Sequence, residues 1–277
     1  MTNTLPPTRT AIIIPARYGS TRFPGKPLAE IGGKSMLAHV AEIGRQASEG
    51  RDDVDLLVAT EAQRIADHAR ELGLQCVMTP DDCPTGSDRV LEATNHTDQA
   101  YDILISLQGD APFTPVAAIS SLLDKLDRFP ATQVATPVIR LGWAELDQLR
   151  AYKQTTPFSG TTAIVDEKGY ARWFSKTIIP AIRKEEELRE TQRKSPVFQH
   201  LGVYAYRREI LEKFVNWPQG YYEQLEGLEQ LRFLENDIPV DAVEIAADAG
   251  IAQMGIDSPQ DLDRAQEMLS NAQNEDD

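Results

Sequence analysis

The sequence predicts an α/β fold in which helices cover a largely parallel sheet, because two kinds of segment alternate along its first half. Short apolar runs rich in β-branched residues have the length of buried strands, and they span residues 11–15, 54–60, 74–79 and 102–107. Helical patterns follow each run and span residues 35–48, 61–72, 87–97 and 115–128. Such alternation indicates a parallel sheet, whose ligands bind beyond the carboxyl ends of its strands. We therefore expect the loops after these four strands to line a site.

The regular alternation of strand and helix patterns stops near residue 132, which predicts a mixed or antiparallel extension of the sheet. Strand-like runs with fewer helical patterns between them lie at residues 132–140, 161–166, 171–175 and 201–207. The charged run 183–194 is typical of a solvated helix or a mobile loop. The last predicted elements are a leucine-striped helix over 223–236, a strand over 242–246 and a helix over 258–270.

The composition indicates a globular protein and argues against a general nucleic-acid binder. The chain has 277 residues, a formal net charge of −15 and 41% apolar residues, so it can build a core but offers no broad cationic surface. No apolar run approaches the roughly 20 residues that span a membrane, and the first residues lack the apolar core of a signal peptide. With only Cys76 and Cys83 as cysteines, these features predict a cytoplasmic protein that does not bind membranes.

A cationic loop follows the first strand, over residues 15–27. Pro15 cannot donate to a sheet ladder and should end the strand, and the loop carries Arg17, Arg22 and Lys26 among glycines that allow close approach. Such a loop can hold phosphate groups, although a charged loop is about equally often only solvated. The glycine spacing fits neither a Walker A loop nor a dinucleotide-binding fingerprint.

Two aspartates stand just after short apolar runs. Asp110 comes after the strand 102–107, where a carboxylate can hold Mg²⁺ together with substrate phosphates; the alternative is a residue that caps the turn. Asp257 precedes a helical pattern, and by itself it is more typical of a helix cap than of a ligand.

Two further features have both a functional and a structural interpretation. The glycine-bearing segment 85–89 opens a helix, so it can seat a base or a phosphate, or it can simply cap the helix. His200 is a lone histidine before an apolar strand, which is more often structural than catalytic. The spacing supports no nucleophilic Ser/His/Asp or Cys/His set.

Seven motifs, in order, give the chain a specific resemblance over about residues 10–270. They are PARYGSTRFPGKPL, MTPDDCPTGSDR, ISLQGDAP, GYARWFSKTIIP, QHLGVYAYR, LEGLEQLRFL and GIDSPQDL. Together they resemble the 3-deoxy-manno-octulosonate (Kdo) cytidylyltransferases, also called CMP-Kdo synthetases. The resemblance implies a fold of the nucleotide-diphospho-sugar transferase type, with one domain over residues 10–270. The implied nucleotide-binding part is Rossmann-like and comprises residues 10–131 and 240–270. A smaller mixed-sheet part over 132–239 would serve sugar binding and dimerisation. Residues 1–9 and 271–277 would be flexible tails.

The resemblance also implies a reaction and a set of site residues. CTP and a 3-deoxy-2-ulosonic acid of the Kdo type would give the CMP-sugar for lipopolysaccharide biosynthesis and pyrophosphate, in a Mg²⁺-dependent homodimer. The implied catalytic residues, of which the two aspartates would hold the metal, are Arg17, Lys26, Asp110 and Asp257. The residues expected to contact the nucleotide are Ala16, Arg17, Ser20, Arg22, Lys26, Gly86, Ser87, Arg89 and Gln108. The residues expected to contact the sugar acid are Gln108, Lys176, His200, Tyr206, Glu229 and Gln230.

Departures from the family pattern cluster where the sugar acid is expected to bind. Ala111 stands where the family commonly has Glu, Lys176 stands where it commonly has Arg, and residues 220–223 read GYYE in place of SPLE. A lysine cannot bind a carboxylate with two parallel N–H bonds as an arginine does. The departures leave open 8-amino-3,8-dideoxy-octulosonate, or another nonulosonic or sialic acid, as the substrate. They also leave open a non-catalytic nucleotide-binding protein.

Overall fold

One sheet of ten strands runs through the computed structural model, which describes residues 8–19, 23–247, 255–256 and 260–267. The strands are β1 (Thr10–Pro15), β2 (Glu30–Ile31), β3 (Lys34–Ser35), β4 (Val54–Thr60), β5 (Gln75–Met78), β6 (Ile103–Ser106), β7 (Val134–Gly142), β8 (Thr161–Val165), β9 (Tyr170–Ser175), β10 (Lys194–His200), β11 (Tyr204–Arg207) and β12 (Val240–Glu244). The large sheet has the order β10-β8-β9-β12-β7-β11-β6-β1-β4-β5, while β2 and β3 form a separate hairpin.

Helices cover both faces of this sheet. They are α1 (Met36–Ala47), α2 (Gln63–Glu71), α3 (Gly86–Asn95), α4 (Val116–Arg128), α5 (Trp143–Thr155), α6 (Glu185–Thr191), α7 (Arg208–Phe214), α8 (Tyr221–Glu226) and α9 (Leu231–Glu235). Residues 260–267 are also helical. Within the described part of the chain, no helix is both long and apolar enough to cross a membrane.

The parallel half of the sheet has β1 at its centre, hydrogen-bonded to β4 on one side and β6 on the other. Ile13 packs with Val90 of α3 in one core cluster, whereas Ile12 packs with Leu37 of α1 in another. Successive strand residues point to opposite faces, so a strand covered on both sides must be apolar at every position. The continuous apolar run therefore confirms the predicted buried strand and the α/β fold class.

The second half of the sheet is mixed, as predicted. β7 is antiparallel to β10 and β11 but parallel to β12. The sheet continues without a break across the predicted boundary at residue 131, and β12 lies between β9 and β7. The division into a nucleotide-binding part and a sugar-binding part stays a prediction.

The predicted helix over 223–236 is wrong as a continuous element. α8 ends at Glu226, Gly227 follows with φ of 65°, and α9 begins only at Leu231. A residue with positive φ ends a helix, and glycine adopts that conformation without a steric penalty. The leucine stripe is broken accordingly, because Leu225 is 65% exposed.

Other local differences lie in the mixed half. The strand predicted over 201–207 begins only at Tyr204, and the preceding residues 194–200 form β10. The sequence patterns did not indicate α5 or α7. Within the charged run 183–194, α6 has no buried residue, so the solvated-helix alternative is confirmed.

Candidate active site

A cavity of about 350 Å³ opens at the carboxyl ends of β1 and β6. Parallel strands end there together, and the loops that follow them are free to line a ligand site. Several of the predicted site residues line this cavity, namely Ala16, Arg17, Lys26, Gly86, Arg89, Gln108, Asp110 and Glu229. The structure therefore brings together residues that lie more than 200 positions apart in sequence.

Lys26 and Asp110 form an ion pair in this cavity. Lys26 Nζ lies 2.7 Å from Asp110 Oδ2, and the two side chains are 11% and 39% exposed. Gly25, with φ of 72°, turns the chain just before Lys26 into a short 3₁₀ turn over residues 26–28. An ammonium group that is this buried needs an opposite charge, and the pair therefore joins the cationic loop to the end of β6.

Gly109 allows the two loops to meet. A Cβ atom at this position would lie 2.8 Å from the carbonyl oxygen of Pro15, which is too close for any side chain. The missing side chain lets the backbone after β6 pack directly against the end of β1. Asp110 is thereby held beside the cationic loop.

The wall of the cavity opposite this pair is formed by the start of α3. Thr85 caps the helix, its hydroxyl accepting from the N–H of Asp88 while Asp88 accepts from Thr85 N–H. This confirms the N-cap interpretation of segment 85–89, whereas its contact with a base or phosphate stays a prediction. Arg89 is buried, and its guanidinium donates to Thr79 Oγ1 at 2.5 Å and lies 3.0 Å from Glu61 Oε2.

Glu61 contacts the cavity-lining residue Arg89, and sequence reasoning missed this supporting role. Its other carboxylate oxygen accepts from the backbone N–H of Tyr18 at 2.7 Å. Glu61 therefore connects Arg89 to the cationic loop after β1. Its position directly after β4, at a strand end, is the signal that could have identified it.

A second group of predicted residues lies around Glu229 and Tyr206. Ser87 Oγ donates to Glu229 Oε2 at 2.8 Å, and burial raises the pKa of the Glu229 carboxyl above its usual value. Tyr206 is buried beside Ser87, and burial together with the Glu229 charge raises the pKa of its phenol. The side chain of Gln230 is buried, and its Nε2 has no hydrogen-bond partner among the described residues. A buried donor without a protein partner needs a partner of another kind, such as a water molecule or a ligand.

His200 lies at the far end of this group. Its Nε2 is 2.9 Å from Thr136 Oγ1, and its ring packs between those of Phe174 and Tyr204. Burial, followed by the charge of Lys176, lowers the pKa of His200 to about 3. Tyr204 stacks in turn on Tyr206, and it is a second residue that sequence reasoning missed, although both tyrosines must face the same side of β11.

Lys176 directly follows β9 and is fixed through its backbone. Its N–H donates to Glu226 at 2.8 Å, and its carbonyl oxygen accepts from Lys153 Nζ at 2.6 Å. The pKa of Lys153 is lowered, first by burial and then by the charge of Lys176. The structure thus places one cation, Lys176, beside the neutral ring of His200.

Three predicted site residues, Ser20, Arg22 and Asp257, lie outside the described residues. Ile256, which precedes Asp257 in the sequence, donates its N–H to the carbonyl oxygen of Asp110 at 3.0 Å. The described residues contain no group of three or more His, Cys, Asp or Glu side chains that could hold a metal ion by themselves. Asp110 is one of two carboxylates that line the cavity in the described part of the chain, the other being Glu229. Carboxylate oxygens suit Mg²⁺, which commonly takes one or two carboxylates and completes its shell with phosphates and water.

The fold and site together define an α/β enzyme that places a cationic loop and a carboxylate at the carboxyl ends of parallel strands, as nucleotide-binding enzymes do. The family model described as Cytidylyltransferase matches residues 11–245, so the class is that of the cytidylyltransferases, which are nucleotidyltransferases. Within this class, the relatives narrow the assignment: the chain belongs to the 3-deoxy-manno-octulosonate cytidylyltransferase family.

Two relatives illustrate the range of that family. The protein named 3-deoxy-manno-octulosonate cytidylyltransferase from Maricaulis maris is 41% identical over 258 residues, covering 93% of this chain and 96% of the relative. The protein named 8-amino-3,8-dideoxy-manno-octulosonate cytidylyltransferase from a Shewanella species is 36% identical over 266 residues, covering 94% of this chain and 98% of the relative.

Solved structures support the same fold. A CMP:2-keto-3-deoxy-manno-octonic acid synthetase complexed with CTP matches with a TM-score of 0.79 and 32% identity, covering 96% of this chain and 100% of that one. The 4-diphosphocytidyl-2C-methyl-D-erythritol synthase of Anaerococcus prevotii matches with a TM-score of 0.58 and 13% identity, which shows a shared fold alone. The predicted fold of the nucleotide-diphospho-sugar transferase type is confirmed.

Proposed function

We propose that this enzyme transfers the cytidylyl group of CTP to a 3-deoxy-2-ulosonic acid of the Kdo type and releases pyrophosphate. The observation that carries this proposal is the ion pair of Lys26 with Asp110, in a cavity that Glu229 also lines. Lys26 and Asp110, which are suited to a triphosphate and its metal ion, therefore share one cavity with Glu229. Glu229 in turn belongs to a group of buried polar side chains that is suited to a sugar. The product would be an activated sugar for lipopolysaccharide biosynthesis, made in the cytoplasm.

The cationic loop is proposed to bind the triphosphate. Lys26 is held in place by its pair with Asp110, and Arg17 lines the same cavity from an exposed position. When a hydroxyl of the sugar acid attacks the α-phosphorus, negative charge builds on the phosphate oxygens and on the leaving pyrophosphate. Fixed cations stabilise that charge without reorganising, and such positioning accounts for much of the rate enhancement in phosphate transfer. Ala16, Gly86 and Arg89 would enclose the nucleotide from the other sides.

Asp110 and Asp257 are proposed to hold Mg²⁺. The hydrogen bond from Ile256 to the backbone of Asp110 supports this pairing, because Ile256 is the sequence neighbour of Asp257. A bound Mg²⁺ would supply Lewis-acid stabilisation of the phosphate oxygens. The Lys26 ammonium, 2.7 Å from Asp110 Oδ2, holds this carboxylate in its orientation.

The sugar acid is proposed to occupy the group that runs from Glu229 to His200. Lys176 provides the cation for the carboxylate of the substrate. Gln230 offers an unpartnered buried donor, and Tyr206 and Glu229 offer further polar groups. Gln108, which follows β6, lines the same cavity as Lys26, Asp110 and Glu229, so it could contact either substrate.

The decisive experiment follows pyrophosphate release from CTP with three acceptors in parallel, which are Kdo, 8-amino-Kdo and N-acetylneuraminate. We expect release that depends on CTP and on Mg²⁺ with one of the two octulosonates. The relatives bear both names, so the preferred octulosonate is a result of the assay. Release with N-acetylneuraminate alone, or with none of the three, would contradict the proposal.

We also propose that the enzyme is a homodimer, and that α8 contributes to its interface. Tyr221, Tyr222 and Leu225 are 70%, 48% and 65% exposed on this short helix, and Tyr222 contacts Trp173 of β9 edge to face. Contiguous exposed aromatic groups are typical of protein interfaces. Sedimentation equilibrium should give a dimer mass, and a Leu225→Glu variant should shift it towards the monomer; a monomeric wild type would exclude the dimer.

A further inference from the structure

The hydroxyl of Thr136 contacts three groups at once in the buried region around His200. Its Oγ1 lies 2.9 Å from His200 Nε2, 2.8 Å from the carbonyl oxygen of Val203 and 3.3 Å from that of Leu201. Thr136 is fully buried and His200 nearly so. A threonine hydroxyl has one proton to donate and lone pairs to accept, so these contacts determine the direction of each hydrogen bond.

The single proton of Thr136 goes to the carbonyl of Val203. Carbonyl oxygens can only accept, and the carbonyl of Leu201 already accepts from the N–H of Val203 at 2.8 Å. If Thr136 donated to His200 instead, its lone pairs would face the oxygen of Val203 at 2.8 Å with no proton between them. A buried carbonyl without a donor is destabilising. Thr136 must therefore accept a hydrogen bond from His200 Nε2–H.

A neutral imidazole carries one N–H, so a proton on Nε2 leaves Nδ1 with a lone pair. We propose that Thr136 is a positioning residue that fixes His200 in the Nε2–H tautomer, so that Nδ1 accepts a hydrogen bond from a hydroxyl of the sugar acid. This inference rests on the proposed function in one respect, namely that His200 faces the sugar acid. The direction of the Thr136 hydrogen bonds does not depend on it.

The surroundings of His200 keep the ring neutral. Phe174 and Tyr204 pack against it, and the charged group that faces it is the cation Lys176 at the end of β9. Both burial and a neighbouring cation oppose a second proton on the ring. Among the described residues, Thr136 is the one hydrogen-bond partner of the His200 ring.

This arrangement divides the recognition of the sugar acid between two residues. A lone pair on Nδ1 repels a carboxylate and attracts a hydroxyl, whereas the ammonium of Lys176 attracts the carboxylate. His200 would then orient the substrate through a hydroxyl. Both candidate octulosonates are polyhydroxylated, so the inference does not choose between them.

The first test is long-range ¹H–¹⁵N correlation NMR of the unliganded wild-type enzyme. The chain has four histidines, and a His200→Gln variant identifies the signals of His200. We expect a neutral Nε2–H pattern that does not change between about pH 5 and pH 8. An Nδ1–H pattern, a mixture of tautomers, or a doubly protonated ring in this range would overturn the inference.

The second test compares the kinetics of three variants. Thr136→Val removes the hydroxyl with little change in volume, and Thr136→Ser keeps it. Thr94→Val is the matched control, because Thr94 is also buried and its hydroxyl also donates to a carbonyl, that of Leu91 at 2.7 Å. We expect Thr136→Val to raise KM for the sugar acid roughly three- to tenfold, the effect of one lost hydrogen bond, and to change KM for CTP little. Thr136→Ser should restore the wild-type value.

The outcomes separate this inference from the proposed function. If the wild type releases pyrophosphate and Thr136→Val has an unchanged KM for the sugar acid, the positioning role is wrong while the activity stands. If Thr136→Val raises both KM values equally, or Thr94→Val does the same, the effect is structural and the inference fails. If the wild type releases no pyrophosphate with any acceptor, the proposed function fails, and the NMR pattern still decides the tautomer.

Discussion

The two walls of the candidate site are built in different ways. The wall that we propose binds the triphosphate, called the phosphate wall, comprises Arg17, Lys26 and Asp110. It lies at the ends of parallel strands and carries charges in contact with solvent, such as the 39% exposed carboxylate of Asp110. The wall that we propose binds the sugar acid, called the sugar wall, comprises Lys176, His200, Tyr206, Glu229 and Gln230. It combines strand ends of the mixed half with the segment before α9. Burial disfavours the charged forms of His200, Tyr206 and Glu229, and Gln230 is an uncharged amide.

If both ligands bind as proposed, this difference shows how one site can serve two ligands of unlike chemistry. A triphosphate carries several charges, so a few fixed cations and a wet surface suffice to hold it. A sugar acid offers hydroxyls, which are distinguished only by donors and acceptors of fixed direction in a desolvated site. We therefore expect substitutions and conditions that change charge to affect the function of the phosphate wall most. The sugar wall should depend more on side-chain packing and on the protonation of its buried groups.

The largest expected effect is a loss in the free energy of unfolding when a buried ion pair near the sugar wall is broken. Arg232 of α9 pairs with Glu223 of α8, and the two side chains are 6% and 3% exposed. An Arg232→Met variant leaves a buried carboxylate without its partner, which should lower the free energy of unfolding by about 3–5 kcal/mol. Urea unfolding measures this value.

The matched control for Arg232→Met is a substitution of the surface residue Arg51. It pairs with Asp127 at 2.7 Å near solvent, so Arg51→Met should lower the free energy of unfolding by no more than about 1 kcal/mol. Equal losses in the two variants would show that the sugar wall does not depend on its buried ion pair.

The next largest expected effect is a loss of kcat/KM when a charge of the phosphate wall is removed. Asp110→Asn keeps the shape of the side chain but removes the charge that orients Lys26 and is proposed to hold Mg²⁺. We expect kcat/KM to fall by about 10²–10³, as it does when one preorganised electrostatic group is removed. The unfolding midpoint should fall less than in Arg232→Met, because the Asp110 carboxylate is 39% exposed whereas the pair of Arg232 with Glu223 is buried. Asp127→Asn, a surface substitution of the same kind, is the control, and wild-type turnover by Asp110→Asn would remove this residue from the catalytic set.

Protonation should affect the sugar wall through His200. Burial lowers the pKa of this ring from 6.5 to about 3, so between these values the unfolded chain binds a proton that the folded chain does not. The contribution of the neutral ring to stability is therefore complete above pH 6.5 and is lost as pH falls towards 3. Over this range His200→Gln should flatten the pH dependence of the unfolding free energy by up to about 1.4 kcal/mol per pH unit. Parallel curves for the wild type and the variant would contradict the buried neutral ring.

The smallest expected effect is that of salt concentration on the KM values of the two substrates. Screening shortens the reach of exposed charges from about 10 Å at 0.1 M to about 3 Å at 1 M ionic strength. KM for CTP should therefore rise severalfold over this range, and KM for the sugar acid should rise less. A larger rise for the sugar acid would reverse the proposed contrast between the two walls.

The phosphate wall could largely be anticipated from the sequence, because short-range patterns encode it. Strand ends are visible as the ends of apolar runs. Asp110 stands shortly after the run 102–107, and Lys26 lies in the cationic loop that follows the run 11–15. Glu61 also stands at a strand end, but a single glutamate carries no spacing signal. Its role depends on Arg89, 28 positions away, which only the folded chain brings to 3.0 Å.

The sugar wall could be anticipated only through the family resemblance, since its contacts are long-range. Thr136 lies in an apolar strand, and nothing in that strand indicates that His200, 64 positions later, contacts its hydroxyl. The regular leucine spacing over 223–236 was misleading, because the backbone conformation of Gly227 overrides the helical period. Antiparallel pairing and local breaks of this kind depend on tertiary packing more than on local pattern.

A crystal structure of the enzyme with CTP and the unreactive sugar-acid analogue 2-deoxy-Kdo would test the two-walled site most directly. The triphosphate should lie within hydrogen-bonding distance of Lys26 Nζ, and a hydroxyl of the analogue should lie within hydrogen-bonding distance of His200 Nδ1. A triphosphate bound away from Lys26 and Asp110, or a carboxylate of the analogue seated on His200, would contradict it.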